Sequence, residues 1–184
     1  MHCIRSIKHE QEESFYRLFI VSFLVFITVL STLIITHHLL LGNNYTYQYP
    51  LIGFLILLLI YPFHKLFHYI IMPDKREIYL QIQRHFVVVP FIEVKLDKAV
   101  PKRRYLFALI TPFLTMSLLW LLIYYYYDLK SVYMYLALAI HLAICTTDIY
   151  CFFTYLKFPN NSFIEDSSRG VRVLIKDEFD DEWS

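Results

Sequence analysis

The sequence YPLIGFLILLLIYPFHKLFHYII, residues 49–71, decides the fold because it is an apolar run long enough to cross a lipid bilayer. A helix needs about 20 apolar residues to cross the hydrocarbon core. Three further runs meet this requirement, at about 15–41, 105–127 and 132–156. Backbone polar groups must find partners inside lipid, so runs of this length are expected to be helices. We predict an all-α membrane protein, a four-helix transmembrane bundle that occupies one membrane domain, 1–158.

The composition is that of a membrane protein. Hydrophobic residues make up 58% of the 184 positions, and glycine occurs only three times. This is too apolar for a soluble domain of this length, so the expected partner is a lipid bilayer. The net charge of +1 combines basic and acidic residues from different segments. It therefore gives no indication of a nucleic-acid partner.

The distribution of lysine and arginine predicts the orientation of the helices. Segment 42–48, between the first two runs, contains neither residue, and the link between the last two runs contains only Lys130. Segment 73–104 is strongly basic, and the N-terminal segment is basic as well. Because basic loops remain in the cytosol, both termini and segment 73–104 are predicted to lie there.

Segment 73–104 is predicted to be more than a linker. It begins with the helix-like PDKREIYLQIQRH and continues with FVVVPFIEVKLDKAV, which is rich in β-branched residues. Apolar and charged residues alternate in its second half, as in a strand with one buried face. We expect a small cytosolic β element of one or two short strands, broken near Pro90. It is either an interfacial lid or a strand that pairs with an extended peptide.

The C-terminal segment, 159–184, is predicted to be a cytosolic tail in two parts. The sequence VRVLI favours a short ordered strand. The final KDEFDDEWS is acidic, has little to bury and is expected to be disordered.

The candidate functional residues lie near the cytosolic ends of two helices. In the string HKLFH, the four-residue spacing of His64 and His68 places both imidazoles on one helix face. HKLFH is similar to the zinc-peptidase motif HExxH, with Lys65 in place of the glutamate. His64 and Asp148 lie at roughly 10 and 13 Å from the cytosolic ends of their helices, at 1.5 Å per residue. The three candidate ligands are therefore expected at similar depth.

Two interpretations of these residues remain open. Two imidazoles and one carboxylate form a common zinc ligand set, with His141 either orienting a ligand or acting as one. Alternatively, His64, His68, Asp148 and Lys65 form a metal-free network in which an ion pair satisfies the carboxylate. Five further residues are expected to have other roles. His37 and His38 lie at the outer interface, Cys145 and Cys151 pack as small apolar residues, and Cys3 is a cytosolic thiol.

The chain resembles a family of bacterial membrane proteins, the zincin peptidases of domain of unknown function 3267. The resemblance rests on HKLFH, the β-rich segment ending near PKRR, LITPF, and TTDIYCFFTYLKFPNNSFIED. The family is similar to the site-2 intramembrane proteases. That resemblance implies zinc ligation by His64, His68 and Asp148, in a bacterial cytoplasmic membrane. Two positions depart from the family pattern, because Lys65 replaces a glutamate and His141 stands where asparagine is expected.

The departure at Lys65 leaves two functions to compare. In a zinc peptidase the glutamate is the general base, and a lysine is a poor replacement. The catalytic residue is therefore unknown, since neither Glu77 nor Glu93 is fixed near the site by the sequence. The favoured hypothesis is a non-catalytic pseudo-peptidase that binds a membrane protein or peptide. The alternative is an active membrane-embedded zinc metallopeptidase with another general base, and a transporter is a distant third, because no inverted repeat is evident.

Overall fold

The fold is known from a computed structural model that describes residues 2–7, 11–42, 45, 50–71, 78–86, 89–96, 99–127, 131–167 and 170–175. It is mostly helical. The helices are α1 (Gln11–Leu41), α2 (Pro50–Ile71), α3 (Lys102–Tyr127) and α4 (Val132–Leu156). All four are long and apolar enough to cross a membrane, as predicted.

The helices pack around α4, which contacts each of the other three, and α2 also contacts α3. Ile60, Met116 and Ala137 form a buried cluster where α2, α3 and α4 meet. Small residues allow close approach between helices in a bundle of this kind. Gly53 of α2 is one of them, because a Cβ added there would lie 2.7 Å from ring atoms of Tyr133 on α4. The outward faces remain apolar, with exposed large side chains on every helix.

The segment between α2 and α3 contains β-strands, as predicted, and they form a hairpin, but residues 78–85 of the expected helix-like start lie in a strand. The hairpin consists of β2 (Ile78–Phe86) and β3 (Val89–Leu96), which are antiparallel. The expected helix was wrong here because consecutive residues of β2, from Ile78 to Gln83, pair with the alternating strand β3. The pairing register shifts opposite Pro90, which cannot donate to the ladder. The predicted break at this proline is therefore a local irregularity within a continuous strand.

The β structure extends beyond this segment, so the class all-α is too narrow. A four-stranded sheet has the order β1 (His2–Ile7), β6 (Gly170–Ile175), β5 (Ser162–Ser167) and β4 (Val100–Pro101). Its described pairs are all antiparallel. The N-terminal segment was not expected to form a strand, and its pairing with β6 spans almost the whole chain. Residues 176–184, the predicted acidic end, lie outside the described residues.

The sheet packs against the ends of α3 and α4 that are predicted to face the cytosol. Ile164, Val171 and Val173 are buried, and the first two pack in one cluster with Tyr105 and Tyr155. Lys102 is also buried, and its ammonium donates hydrogen bonds to two carbonyls where α4 ends. A cation at a helix C-terminus is favourable because the last carbonyls have no partner within the helix. This end of the bundle is thus tied together by strands from three parts of the chain.

Candidate metal centre

Three side chains from α2 and α4 meet in the interior of the bundle. His64 Nε2 lies 2.8 Å from Asp148 Oδ2, and His68 Nε2 lies 3.3 Å from the same oxygen. The two Nε2 atoms are 3.1 Å apart. Both histidines are buried, with His64 completely so, and the Asp148 side chain is 14% exposed. The structure therefore brings together the three residues that the sequence placed at similar depth.

The ring of His68 is oriented by a carbonyl that a proline leaves free. Pro112 lies inside α3 and has no N–H, so it cannot donate to the carbonyl four residues earlier, that of Ala108. His68 Nδ1 lies 2.9 Å from this oxygen. A carbonyl can only accept, so Nδ1 carries the proton and donates it. In neutral His68 the lone pair is then on Nε2, which faces His64 and Asp148.

The group has more acceptors than protons. With His68 neutral, its Nε2 and the Asp148 carboxylate are both acceptors, and His64 Nε2–H can donate to either. The two acceptors, 3.3 Å apart, then face each other without a proton between them. Only a second proton or a cation removes this repulsion. This donor set suits a metal ion, because a metal accepts lone pairs from all three atoms.

The spacing of the three atoms also fits zinc. Zinc bonds of about 2.0–2.2 Å in a tetrahedral arrangement place ligand atoms about 3.3–3.5 Å apart. The observed separations are 2.8, 3.1 and 3.3 Å. Outward movements of a few tenths of an ångström would accommodate the ion. The hydrogen bond from His68 to the Ala108 carbonyl is the kind of contact that orients a histidine ligand of zinc.

The Lys65 ammonium lies over an aromatic ring of its own helix. Its Nζ lies 5.9 Å from the centroid of the Tyr61 ring, one helical turn earlier on α2. Among the described residues, the ion pairs of Asp148 are with His64 and His68. The pairing of the carboxylate with the two histidines agrees with the metal-free interpretation as well as with a metal site, and Lys65 is not among the described partners of Asp148.

A second group of possible ligands adjoins the first. His141 and Cys145, one turn apart on α4, lie with His64 so that their ligand atoms are within 4.8 Å of one another. All three residues are buried. Ser117 Oγ of α3 lies 3.4 Å from His141 Nε2. The sequence indicates a role for His141 at a metal site, but it predicts only a packing role for Cys145. The four-residue spacing of His141 and Cys145 is the signal that could have found the pair.

Neither His37 nor His38 belongs to the two groups. His38 is exposed near the end of α1, but His37 is buried. His37 Nδ1 forms a 2.6 Å hydrogen bond with the Tyr135 hydroxyl, and this contact between α1 and α4 explains its burial. Glu77 lies outside the described residues. Glu93 lies on β3, the strand that contacts α2.

The comparison with protein families agrees with the geometry. Residues 57–163, more than half of the chain, match the family of domain of unknown function 3267, described as "Putative zincin peptidase". The matched region contains both histidines of HKLFH and Asp148. No curated protein and no solved structure matches the chain. The chain belongs to this zincin-peptidase family, and the resemblance stated from the sequence is confirmed.

Proposed function

We propose that this protein is a membrane-embedded zinc-binding pseudo-peptidase of its family. Its zinc ligands are His64, His68 and Asp148, and it binds a membrane protein or peptide without hydrolysing it. The observation that carries the proposal is the convergence of three ligand atoms within 3.3 Å. The family match supports zinc as the metal. When bound, zinc would polarise a carbonyl group as a Lewis acid.

The side chains around the site support ligand binding better than hydrolysis. His68 is held by the Ala108 carbonyl, and Asp148 presents Oδ2 to both imidazoles. Peptide hydrolysis also needs a general base that accepts a proton from the attacking water, close to the peptide carbonyl. At the position after His64 the chain has Lys65, a cation that is directed towards Tyr61. Among the described side chains, Asp148 is the single carboxylate in the candidate metal groups, and its Oδ2 is already engaged.

We place the protein in the bacterial cytoplasmic membrane with both termini in the cytosol. Two observations support this orientation. Strands near the N-terminus, before α3 and after α4 form one sheet, so they lie at one end of the bundle. That end carries the basic segment 73–104, and basic segments remain in the cytosol. The exposed apolar side chains of the helices would then face lipid.

Metal analysis of the purified protein tests the site. We expect about one zinc per chain after preparation in detergent without chelators, and loss of zinc in His64→Ala and Asp148→Ala. His38→Ala is the matched control, because His38 is exposed on α1 and far from the group in sequence. Wild-type protein without bound metal, and without affinity for added zinc, would overturn the proposal.

A peptidase assay separates the pseudo-enzyme from an active enzyme. We expect no chelator-sensitive cleavage of membrane-peptide substrates by the wild type. Lys65→Glu restores a carboxylate at the position of the family's general base and is expected to gain cleavage, whereas Lys65→Gln is not. Chelator-sensitive cleavage by the wild type that disappears in His68→Ala would establish the active-peptidase alternative.

Cysteine labelling tests the orientation. A cysteine introduced at Gly42, between α1 and α2, is expected to react with an impermeant thiol reagent added outside intact cells. A cysteine at Lys98, before α3, is the matched control and is expected to react only after the cells are opened. The reverse pattern would refute the orientation and leave the metal site untouched.

A further inference from the structure

We propose that His64, His141 and Cys145 form a second metal site, which contains a thiolate and binds a soft cation such as Zn²⁺ or Cu⁺. This site adjoins the His/His/Asp site and shares the ring of His64 with it. Cys145 precedes Asp148 by three residues, so the two ligands are separated by roughly 4.5 Å along α4.

The distances around the sulfur suit coordination. Cys145 Sγ lies 3.9 Å from His64 Nδ1, and it lies 3.6 and 3.7 Å from the two ring nitrogens of His141. With Zn–S of about 2.3 Å and Zn–N of about 2.0–2.1 Å, a tetrahedral site places sulfur and nitrogen about 3.5 Å apart. Since the two His141 nitrogens are almost equally distant from the sulfur, a rotation of the ring directs either of them to the ion.

The hydrogen bond between His64 and Asp148 prepares this second site. When His64 Nε2–H donates to Asp148 Oδ2 across 2.8 Å, the lone pair of the neutral ring is on Nδ1, which faces Cys145. A ligating histidine commonly donates its other N–H to a carboxylate. His64 would thus bind the metal through Nδ1 while its Nε2–H donates to Asp148. In the other tautomer, Nε2 carries the lone pair and serves the His/His/Asp site.

The residues and their surroundings favour a soft cation. All three are buried, and Cys145 has no exposed surface. Thiolate ligands select Cu⁺ and Zn²⁺ over hard cations such as Mg²⁺. Binding releases the Sγ proton to solvent, because a thiolate is the ligand. A divalent ion then balances the thiolate and the Asp148 carboxylate, which reduces the cost of burying either charge alone.

Cadmium titration tests the site, because bonds between Cd²⁺ and thiolate absorb in the near ultraviolet. The full chain carries Cys3→Ser and Cys151→Ser, so that Cys145 is the remaining thiol. We expect a saturable absorption band at about one Cd²⁺ per chain. Adding Cys145→Ser, or Cys145→Ala if the serine variant does not fold, should abolish the band. Adding His141→Ala should weaken Cd²⁺ binding about 10-fold or more.

The His68→Ala variant separates this site from the proposed zinc site. His68 is a ligand in the first group but not in the second, so the thiolate band should remain when it is removed. The second site would be overturned if the chain that retains Cys145 gave no band, or if His141→Ala left the band unchanged. Loss of the band in His68→Ala would also overturn it. The proposed function is tested separately in the Cys145→Ser variant, which lacks the thiolate ligand. No zinc bound by this variant, or zinc retained when His68→Ala or Asp148→Ala is added to it, would overturn the His/His/Asp site.

Discussion

Pro112→Ala tests whether a helix proline controls the metal affinity of the site. Pro112 is fully buried in α3, and the carbonyl that it leaves free accepts the hydrogen bond from His68 Nδ1 at 2.9 Å. Alanine supplies an N–H that closes the helical hydrogen bond to Ala108. The Ala108 carbonyl then accepts a hydrogen bond within α3, and its hydrogen bond from His68 Nδ1 weakens.

The substitution is expected to change affinity and stability in opposite directions. One hydrogen bond contributes about 0.5–1.5 kcal/mol, so losing it weakens zinc binding roughly 2- to 10-fold, since about 1.4 kcal/mol is a factor of ten. The Ala108 carbonyl has two lone pairs, so it can still accept a weaker hydrogen bond from His68 when the helical bond forms. The loss of zinc affinity should therefore not exceed this range. The metal-free protein should become more stable, but by less than the ~3 kcal/mol that proline costs inside a helix, because removing the buried ring also leaves a small cavity.

The assay combines a zinc-affinity titration with thermal unfolding in the presence of a chelator. Thr111→Ala is the matched control on the same turn of α3, since its hydroxyl bonds the Phe107 carbonyl of its own helix at 2.6 Å. It should leave the zinc affinity unchanged. A Pro112→Ala protein with wild-type zinc affinity would refute the role of the free carbonyl. A less stable metal-free protein would show that the proline stabilises α3 in another way.

Three further substitutions test the packing of the bundle by thermal unfolding in detergent. Gly53→Ala should destabilise by about 1–2 kcal/mol, because the new Cβ overlaps the Tyr133 ring, and Tyr133→Ala should relieve the effect. Lys102→Met should cost about 2–3 kcal/mol by leaving carbonyls at the end of α4 without a charged donor. Tyr135→Phe should cost about 1–3 kcal/mol by leaving buried His37 Nδ1 unpaired. Wild-type unfolding temperatures would contradict each of these contacts in turn.

The helices could be predicted closely from the sequence because a segment that crosses a bilayer must be a long apolar helix. The predicted run 132–156 coincides with α4, and the start of α3 differs by three residues, at Lys102 instead of 105. That difference arises because Lys102 is buried under the end of α4, although its charge indicates an exposed loop. A local pattern cannot reveal a partner 54 residues away.

The sheet could be predicted only in part because its strands pair across long distances. VRVLI was expected as a strand, and it forms most of β6. Its partner β1 has the mixed sequence HCIRSI, which carries no distinct alternation by itself. The strand forms because β6 offers an edge to it, and that edge is visible only in three dimensions. Propensity in such short strands is weak and depends on the neighbours.

The candidate site could also be predicted only in part, because some of its contacts join residues that are distant in the sequence. Helical spacing paired His64 with His68, and equal depth brought Asp148 to them. The free carbonyl of Ala108 depends on Pro112 of a third helix, and that contact has no local signature near His68. Cys145 was assigned to packing because cysteines in an apolar helix usually pack. Its contact with His141 lies within α4, but its contact with His64 appears only when α2 lies against α4.

Lys65 and a Cys145 thiolate would change the charge around the His64 ring in opposite directions. Replacing the family's glutamate by Lys65 makes the surroundings of the His/His/Asp site more positive by two units, which disfavours a divalent cation. A thiolate at Cys145 would return one negative charge on the other side of the His64 ring. Neutral His64 has one lone pair and can serve only one of the sites at a time. Under the two proposals, a chain therefore binds one metal ion at a time, and the tautomer of His64 decides between a carboxylate and a thiolate environment.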